Sequence, residues 1–226
     1  MTRLVQPELL DTLPPTDPRV LQSRRDLRRV NALMGNAGAI LSFVTRYLAS
    51  CGVHAPITIA EIGAGEGFIA VQVAHALARE GHSGKLLLVD QQPSVPPAVG
   101  SWEAHIIKSD VFAWLDDAPC VDVIIANLFL HHFDDAPLGN LLSRCAELCD
   151  CFAAAEPRRS IIAAWFSRRV KLIGCNDVTR HDAEISVRAG FNDSDLSALW
   201  PRAESWRLTE KRVGAFTHFF GATRPA

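Results

Sequence analysis

Three glycines at alternate positions, Gly63, Gly65 and Gly67, lie between an apolar run and a helical pattern. The apolar run at residues 57–62 predicts a buried strand, and the pattern after the glycines predicts a helix from about Phe68. Glycine has no Cβ, and the first N–H groups of a helix have no partner inside that helix, so such a turn can bring backbone close to a ligand. The stretch therefore predicts a strand, a turn and a helix, with a nucleotide-like cofactor at the turn.

The spacing of these glycines narrows the class of cofactor. Glu61 stands two residues before the first glycine, and the pattern that follows is G-x-G-x-G. A loop that holds a pyrophosphate over a helix N-terminus has the pattern G-x-G-x-x-G instead. We therefore expect a cofactor without a pyrophosphate, which disfavours a nicotinamide-dependent dehydrogenase.

Short apolar runs alternate with helical patterns along most of the chain. The predicted strands are residues 57–62, 85–90, 103–108, 120–127 and 151–156, and the predicted helices are 20–34, 39–49, 68–80 and 138–148. Such alternation is typical of an α/β fold with a doubly wound, mostly parallel sheet. Runs at 204–209 and 214–222 predict an antiparallel hairpin around a turn at 210–213. We therefore expect a Rossmann-like, seven-stranded sheet with a C-terminal antiparallel hairpin and additional N-terminal helices.

A polar side chain stands at or just after the end of each predicted parallel strand. These residues are Glu61, Asp90, Asp110, Asn127 and Glu156. Ligands of doubly wound folds bind outside the carboxyl ends of the strands. We therefore expect these side chains at one edge of the sheet, beside the glycine turn.

Composition and charge limit the class of protein. With 226 residues, of which 48% are hydrophobic and 21% charged, the chain is expected to form one globular domain. It has no apolar run of membrane-spanning length and no signal-peptide core, so we expect a cytoplasmic protein with no membrane partner. The formal net charge of −2 gives no overall attraction to nucleic acid. Cys145, Cys149 and Cys151 form no C-x-x-C pair, and we expect no metal site.

The motif Glu61-x-Gly63-x-Gly65-x-Gly67, followed by further strands and the terminal hairpin, resembles class I S-adenosylmethionine-dependent methyltransferases over about residues 57–222. The stretches NLFLHHF at 127–133, EPRRS at 156–160 and HDAEISVRAGF at 181–191 look like bacterial small-molecule methyltransferases of the quinone and polyketide-tailoring type. The resemblance implies a transferase of secondary metabolism that uses S-adenosylmethionine as its cofactor.

The resemblance also implies roles for the residues at the strand ends. The glycine turn would lie under the methionine part of the cofactor, and Glu61 would either fix that turn or reach the amino group of the cofactor through water. Asp90 would accept hydrogen bonds from both ribose hydroxyls. The residues implied near the adenine and the sulfonium are Gln91, Asp110, Val111 and Asn127. For Asp110 and Asn127, capping of the helices that follow them is an alternative.

The residues after the fourth strand bear on the methyl acceptor. Methyltransferases that act on base amines have N-P-P-Y or a close variant there, whereas this chain has NLFL at 127–130. The departure removes the aromatic side chain and the prolines that would hold a flipped base. We therefore expect no nucleic-acid substrate but a small phenolic, quinone-like or polyketide-derived acceptor, methylated on oxygen or carbon by a monomer or homodimer. A non-catalytic methyltransferase-like binding protein or partner subunit is the alternative.

Three histidines are candidate general bases for a phenolic acceptor. His131 and His132 lie in the loop that borders the methyl group in related proteins, and His181 lies further along the chain. Because His131 and His132 are adjacent, we expect their side chains to point in different directions, with at most one facing the methyl group. Asp182 could orient His181, although capping of a helix is its more ordinary role.

Two segments lie outside the common methyltransferase core. Residues 1–50 are expected to form an N-terminal arm and a helical cap, and residues 51–226 the core, with an insertion at about 157–195. Both segments are expected to fold over the strand ends and to select the acceptor.

Overall fold

The computed structural model describes residues 1–14, 16–52, 56–93 and 98–225. The helices in these ranges are α1 (Leu9–Thr12), α2 (Pro18–Met34), α3 (Asn36–Cys51), α4 (Phe68–Arg79), α5 (Val111–Asp117), α6 (Asp135–Leu148), α7 (Ile161–Ser167) and α8 (Asp177–Ala189). The strands are β1 (Ile57–Ile62), β2 (Gly84–Asp90), β3 (Trp102–Lys108), β4 (Val121–Asn127), β5 (Cys149–Pro157), β6 (Arg207–Val213) and β7 (Thr217–Thr223). Short 3₁₀ helices occur at Leu130–His132, Val170–Ile173 and Ala203–Ser205. Across the described ranges, every helix is either too short or too polar to act as a membrane span.

The seven strands form one sheet in the order β3-β2-β1-β4-β5-β7-β6. Strands β1 to β5 are parallel, whereas β7 runs antiparallel to both β5 and β6. The chain order reverses between β1 and β4, and ligands of such sheets bind in the crevice at this reversal. The predicted fold class, a mostly parallel seven-stranded sheet with a C-terminal antiparallel hairpin, is confirmed.

Helices cover both faces of the sheet. Helices α3 and α4 pack on one face, and α5 and α6 pack on the other beside Trp200 and Trp206. The side chains of β4 alternate between these two cores, with Ile124 in one and Val123 and Ile125 in the other. A strand that is buried on both faces is apolar throughout, which is why β1 and β4 were recognisable from the sequence. The packed sheet holds the residues at its strand ends in fixed positions.

The C-terminal hairpin differs in its boundaries from the prediction. The strand predicted at 204–209 lies at Arg207–Val213 (β6) in the structure. The residues predicted to form the turn, 210–213, belong to this strand. Glu210 looked like a turn residue, yet its side chain is only 5% exposed and lies 2.7 Å from His218 of β7. Its charge is satisfied by a partner across the hairpin, so it is compatible with a strand. The turn itself begins at Gly214, which has a φ of 59°.

The helices α2 and α3 begin earlier than predicted. Helix α2 starts two residues earlier because the side chain of Asp17 caps it and Pro18 suits its first position. It ends, as predicted, at Gly35, which has a φ of 72°. Helix α3 follows directly and packs on the sheet, where the ring of Phe43 leaves no room for a side chain at Gly221.

Helix α2 crosses the strand ends and is tied to α8. Asp26 of α2 is fully buried, and its Oδ2 accepts a hydrogen bond from the backbone N–H of Asn176 at 2.8 Å. Arg28 of α2 donates to Glu66 of the glycine turn at 2.6 and 2.9 Å. Helices α2 and α8 therefore cover the edge of the sheet at which β1 and β4 end.

Candidate cofactor and acceptor site

A cavity of about 530 Å³ lies at the carboxyl ends of β1, β2 and β4, under α2 and α8. This volume is typical of a small-molecule site. The predicted site residues that line it are Glu61, Gly63, Gly65, Asp90, Gln91, Asp110, Val111, Asn127, His131 and His132. The two predicted site residues that do not line it are Gly67 and His181. Most residues predicted from separate strands are therefore brought together at one cavity.

The glycine turn has a backbone conformation that favours glycine and leaves space beside it. Gly63, Gly65 and Gly67 have φ values of 65°, 54° and 66°. A Cβ added at Gly63 would lie 2.2 Å from the ring of Phe129, whereas a Cβ added at Gly65 would meet no described atom within 4 Å. Gly63 is therefore required by packing, and Gly65 leaves open space in the wall of the cavity.

Asp90 connects the end of β2 to the glycine turn. Its Oδ2 accepts a hydrogen bond from the N–H of Gly65 at 2.8 Å, and its Oδ1 accepts one from the N–H of Gln92 at 2.6 Å. Each carboxylate oxygen can accept more than one hydrogen bond. Asp90 can therefore order the turn and still accept hydrogen bonds from a ligand hydroxyl.

Glu61 links the end of β1 to the first turn of α4. Its buried Oε2 accepts a hydrogen bond from the N–H of Ala70 at 2.9 Å, which is one of the N–H groups without a partner inside the helix. Burial, with a smaller contribution from the charge of Asp90, raises the pKa of Glu61 to about 8. The carboxyl group is therefore neutral at pH 7 and adds no second negative charge beside Asp90.

Asp110 caps α5 and is joined to Gln91. Its Oδ1 accepts hydrogen bonds from the N–H groups of Phe112 and Ala113 at 2.9 and 3.3 Å. Its Oδ2 accepts one from Nε2 of Gln91 at 3.0 Å. The capping alternative is thus present in the structure, but both side chains also line the cavity, so capping does not exclude contact with a ligand.

Asn127 joins the end of β4 to the N-terminal helices. Its Nδ2 donates to Oδ1 of Asn31 on α2 at 3.0 Å, and its Oδ1 accepts from Nδ2 of Asn36 on α3 at 2.8 Å. The capping alternative for Asn127 is therefore wrong, because both side-chain atoms bind residues that are distant in sequence. A ligand would meet an amide that is already oriented by its neighbours.

A buried carboxylate organises the loop after β4. Glu156, at the end of β5, accepts hydrogen bonds from the N–H groups of Phe129 and Leu130, each at 3.0 Å. Its other oxygen lies 2.7 Å from Nδ1 of His131. These contacts accompany a φ of 51° at Leu128, a conformation that leucine rarely adopts. The side chain of Glu156 on β5 therefore stabilises this conformation of the loop after β4.

His131 is buried between two carboxylates. Its Nδ1 faces Glu156, and its Nε2 lies 3.2 Å from Oε1 of Glu8. Burial works to lower the pKa of His131, but the hydrogen bonds and charges of Glu156 and Glu8 outweigh burial and raise this pKa to about 9. A histidine that is protonated at neutral pH cannot accept a further proton, which disfavours His131 as the general base.

His132 lies beside His131 and faces the same carboxylate. Its Nδ1 donates to the carbonyl of Phe129 at 2.9 Å, and its Nε2 lies 3.6 Å from Glu8 and 3.5 Å from Asp11. The expectation that the two histidines point in different directions is wrong, because their rings lie 4.3 Å apart and both Nε2 atoms turn toward Glu8. Burial and the charge of His131 lower the pKa of His132, whereas Glu8 and Asp11 raise it, and the net effect is a rise.

Glu8 is a site residue that was not predicted from the sequence. It lies in the N-terminal arm, lines the cavity and also contacts the hydroxyl of Ser186 on α8. Burial works to raise the pKa of Glu8, but its hydrogen bonds with His131 and His132 hold that pKa well below its usual range. The only local signal is the apolar pair Leu9 and Leu10 directly after Glu8, which is typical of a segment that packs against other parts of a protein.

His181 lies on the outer side of α8, away from the cavity. Its side chain is 49% exposed, and its Nδ1 lies 3.1 Å from Oδ1 of Asp182. Asp182 in turn accepts hydrogen bonds from the N–H groups of Leu9 and Leu10, so it caps α1 in the distant arm. The position of His181 disfavours a role as the general base.

Several solved structures are similar to this chain. The plantazolicin methyltransferase BpumL in complex with SAH has 13% sequence identity and a TM-score of 0.66, over 93% of this chain and 92% of that one. The plantazolicin methyltransferase BamL, with SAH and a triazolic desmethylPZN analog, has 11% identity and a TM-score of 0.65 over 92% of each chain. Magnesium protoporphyrin IX methyltransferase from Synechocystis PCC 6803 with bound SAH has 12% identity and a TM-score of 0.51, over 96% of this chain and 91% of that one.

No protein-family model matches the chain, and no curated protein matches it at significant similarity. The strand order, the terminal hairpin and the three structural similarities all agree with the resemblance stated for the glycine motif. The chain therefore has the fold of the class I S-adenosylmethionine-dependent methyltransferases.

Proposed function

We propose that this protein is an enzyme that transfers a methyl group from S-adenosylmethionine to a small-molecule acceptor. The observation that carries the proposal is the hydrogen bond between Gly65 and Asp90, which joins an open glycine turn to an acidic strand end beside the cavity. The similar plantazolicin and magnesium protoporphyrin IX methyltransferases were solved with SAH, which supports the same cofactor here. We further propose a cytoplasmic monomer or homodimer that has no nucleic-acid or membrane partner.

Each part of S-adenosylmethionine has lining residues of suitable chemistry. The glycine turn offers backbone groups to the amino-acid part of S-adenosylmethionine, and Asp90 offers acceptor oxygens to the ribose diol. Glu61 holds the turn in place through its hydrogen bond to α4. The residues that would border the adenine and the sulfonium are Gln91, Asp110, Val111 and Asn127.

The remainder of the cavity supports an apolar acceptor. Its apolar lining comes from Ala163 and Phe166 of α7, from Val170 and Ile173 of the following 3₁₀ helix, and from Phe216, beside polar side chains such as Ser167 and Thr179. A phenolic, quinone-like or polyketide-derived compound, methylated on oxygen or carbon, suits such a lining. We propose that residues 157–195 and the N-terminal arm with α2 select this acceptor, while α3 belongs to the layer that packs on the sheet.

The chemistry that bound S-adenosylmethionine would supply is an in-line displacement, in which a bond from the methyl carbon to the acceptor would form as the methyl–sulfur bond breaks. The main task of the protein is to hold these three atoms in a row. A phenol must also lose its proton, and His132 is the histidine best placed to accept it. Glu8 and Asp11 lie 3.6 and 3.5 Å from its Nε2. These distances exceed a hydrogen bond, so an acceptor hydroxyl can lie closer to this nitrogen than the two carboxylates do.

Calorimetric titration with S-adenosylmethionine and with SAH tests the cofactor assignment. We expect one site per chain, with binding at least 10-fold weaker in Asp90→Ala, because a hydrogen bond to a charged group contributes about 1.5–3 kcal/mol. Asp117→Ala removes an exposed carboxylate at the end of α5 and should bind as the wild type does. Equal affinities for wild type and Asp90→Ala would contradict the placement of the ribose. No binding by the wild type would contradict the proposed function.

Catalysis is tested separately from binding. The protein is incubated with radiolabelled S-adenosylmethionine and a panel of phenols, quinones and polyketide-derived compounds, and label is measured in the product. Transfer to any member supports an enzyme and identifies its acceptor class. Tight cofactor binding without transfer to any member would favour the alternative of a non-catalytic binding or partner subunit.

A further inference from the structure

Three donor side chains converge at the acceptor end of the cavity. Glu8 from the arm and His131 and His132 from the loop after β4 have ligand atoms that all lie within 4.8 Å of one another. From this geometry we propose that the cluster binds a single first-row transition-metal dication, for which Zn²⁺ is the probe. The sequence predicted no metal site because its clustered cysteines form no C-x-x-C pair, and no local spacing brings Glu8 to the two histidines.

The distances within the cluster fit a coordination shell. Nε2 of His132 lies 3.6 Å from Glu8 and 3.5 Å from Asp11, beyond the usual hydrogen-bond range of about 2.7–3.2 Å. Two ligands bound to zinc at about 2.0–2.1 Å in a tetrahedral shell are about 3.3 Å from each other. Nε2 of His131 lies 3.2 Å from Glu8, close to that separation. Small shifts of the side chains would therefore complete the shell.

Both histidines are oriented as metal ligands usually are. Nδ1 of His131 faces the carboxylate of Glu156, and Nδ1 of His132 faces the carbonyl of Phe129. An acceptor at Nδ1 keeps the proton there and leaves the lone pair on Nε2, which is the arrangement around ligating histidines. Both Nε2 atoms point at the oxygens of Glu8, so a dication bound there would take the place of the proton that Nε2 of His131 otherwise directs at Glu8. One dication at this point satisfies both histidines.

The donor set selects the class of metal. Two imidazoles and a carboxylate favour Zn²⁺, Mn²⁺, Fe²⁺, Co²⁺ or Ni²⁺ over Mg²⁺ and Ca²⁺, which prefer oxygen ligands. Glu8, His131 and His132 all line the cavity, so a metal with three protein ligands has an open position toward the acceptor. That position suits an acceptor with an oxygen donor. A metal would occupy the lone pair of Nε2 of His132, so this nitrogen is the general base only in the metal-free protein. Binding of the metal does not depend on the proposed methyl transfer.

Calorimetric titration of the metal-stripped protein with Zn²⁺ tests the site. His132→Ala removes one ligand, and His181→Ala is the matched control, because His181 also stands beside a carboxylate but lies away from the cavity. We expect one tight site in wild type and in His181→Ala, at least 10-fold weaker binding in His132→Ala, and no displacement by excess Mg²⁺. Cys51 and Cys120 are exposed thiols that can also bind zinc. His132→Ala keeps both thiols, so any zinc that they bind is measured equally in this variant and in the wild type.

X-ray absorption at the zinc edge of the wild-type complex needs no variant. We expect imidazole nitrogens at about 2.0–2.1 Å and no sulfur at about 2.3 Å. Sulfur ligands, equal affinities of His132→Ala and His181→Ala, or no binding by the wild type would each overturn the proposal. The two histidines would then be protonated partners of Glu8. Because neither measurement uses S-adenosylmethionine or an acceptor, the result is independent of the test of methyl transfer.

Discussion

The two sides of the cavity are built in different ways. On the cofactor side, partners lie close together in the chain, since Asp110 caps the helix directly after it and Glu61 accepts the N–H of a residue nine positions later. On the acceptor side, Glu8 and His131 contact each other although 123 positions separate them. Apart from Asn127, whose partners lie on α2 and α3, the cofactor side therefore consists of strand, turn and helix units, whereas the acceptor side requires the distant N-terminal arm to dock.

Docking of the N-terminal arm thus decides the shape of the acceptor side. Arg3 donates to the carbonyls of Phe133 and Ala189 at 2.7 and 2.9 Å, and Asp182 caps α1. These contacts bring Glu8 to the histidines. A change in the arm should therefore alter acceptor contacts while the glycine turn and Asp90 keep their arrangement.

The largest expected loss of stability follows removal of the carboxylate that organises the acceptor side. Glu156→Ala leaves the N–H groups of Phe129 and Leu130 without their acceptor and removes one partner of a buried ion pair with His131. Breaking such a pair costs about 3–5 kcal/mol, and the free energy of unfolding should fall by that amount. Denaturant unfolding measures it, with the exposed Glu147→Ala as the control. A loss below about 1 kcal/mol would show that Glu156 does not organise the loop.

The corresponding buried acid on the cofactor side, Glu61, should give a pH-dependent effect. Its pKa is raised from 4.5 to about 8, so the folded protein binds more protons than the unfolded chain in this window. The contribution of Glu61 to stability is fully present below pH 4.5 and is lost as the pH rises toward 8, by at most about 1.4 kcal/mol per pH unit.

Glu61→Gln removes this proton while keeping an acceptor for the N–H of Ala70. The wild type should lose stability relative to Glu61→Gln as the pH rises through the window, as measured by denaturant unfolding of the ligand-free proteins. Parallel stability curves for the two proteins would contradict the raised pKa.

The smallest expected change in stability distinguishes two glycines of the same turn. Alanine at either position has an unfavourable positive φ, which costs about 1–2 kcal/mol. Gly63→Ala should cost more than Gly65→Ala because its methyl group also meets the ring of Phe129. Gly65→Ala should mainly weaken cofactor binding, because its methyl group enters the space beside the turn. Unfolding and cofactor titration of both variants measure the two effects, and normal cofactor affinity in Gly65→Ala would show that the ligand does not approach this turn.

Prediction from sequence succeeded where structure is encoded locally. The alternating apolar runs and helical patterns identified β1, β2 and β4 and the seven-stranded fold. Of the five polar residues predicted at the strand ends, Glu61, Asp90, Asp110 and Asn127 line the cavity. Prediction failed for Glu210, which was placed in a turn but lies in β6. The sequence did not show that its partner would be His218 on the other strand of the hairpin. It also failed for the capping alternative of Asn127, whose partners come from two N-terminal helices.

By itself, the sequence determined the sheet, the glycine turn and the side chains at the strand ends, because periodicity and backbone preferences act over a few residues. Only the tertiary structure decided that Glu8 meets His131 and His132, and that His181 lies away from the cavity. The physical reason is that burial and electrostatic partners depend on which distant segments dock together. The charge of His131, and thus its chemistry, was therefore a property of the assembled fold.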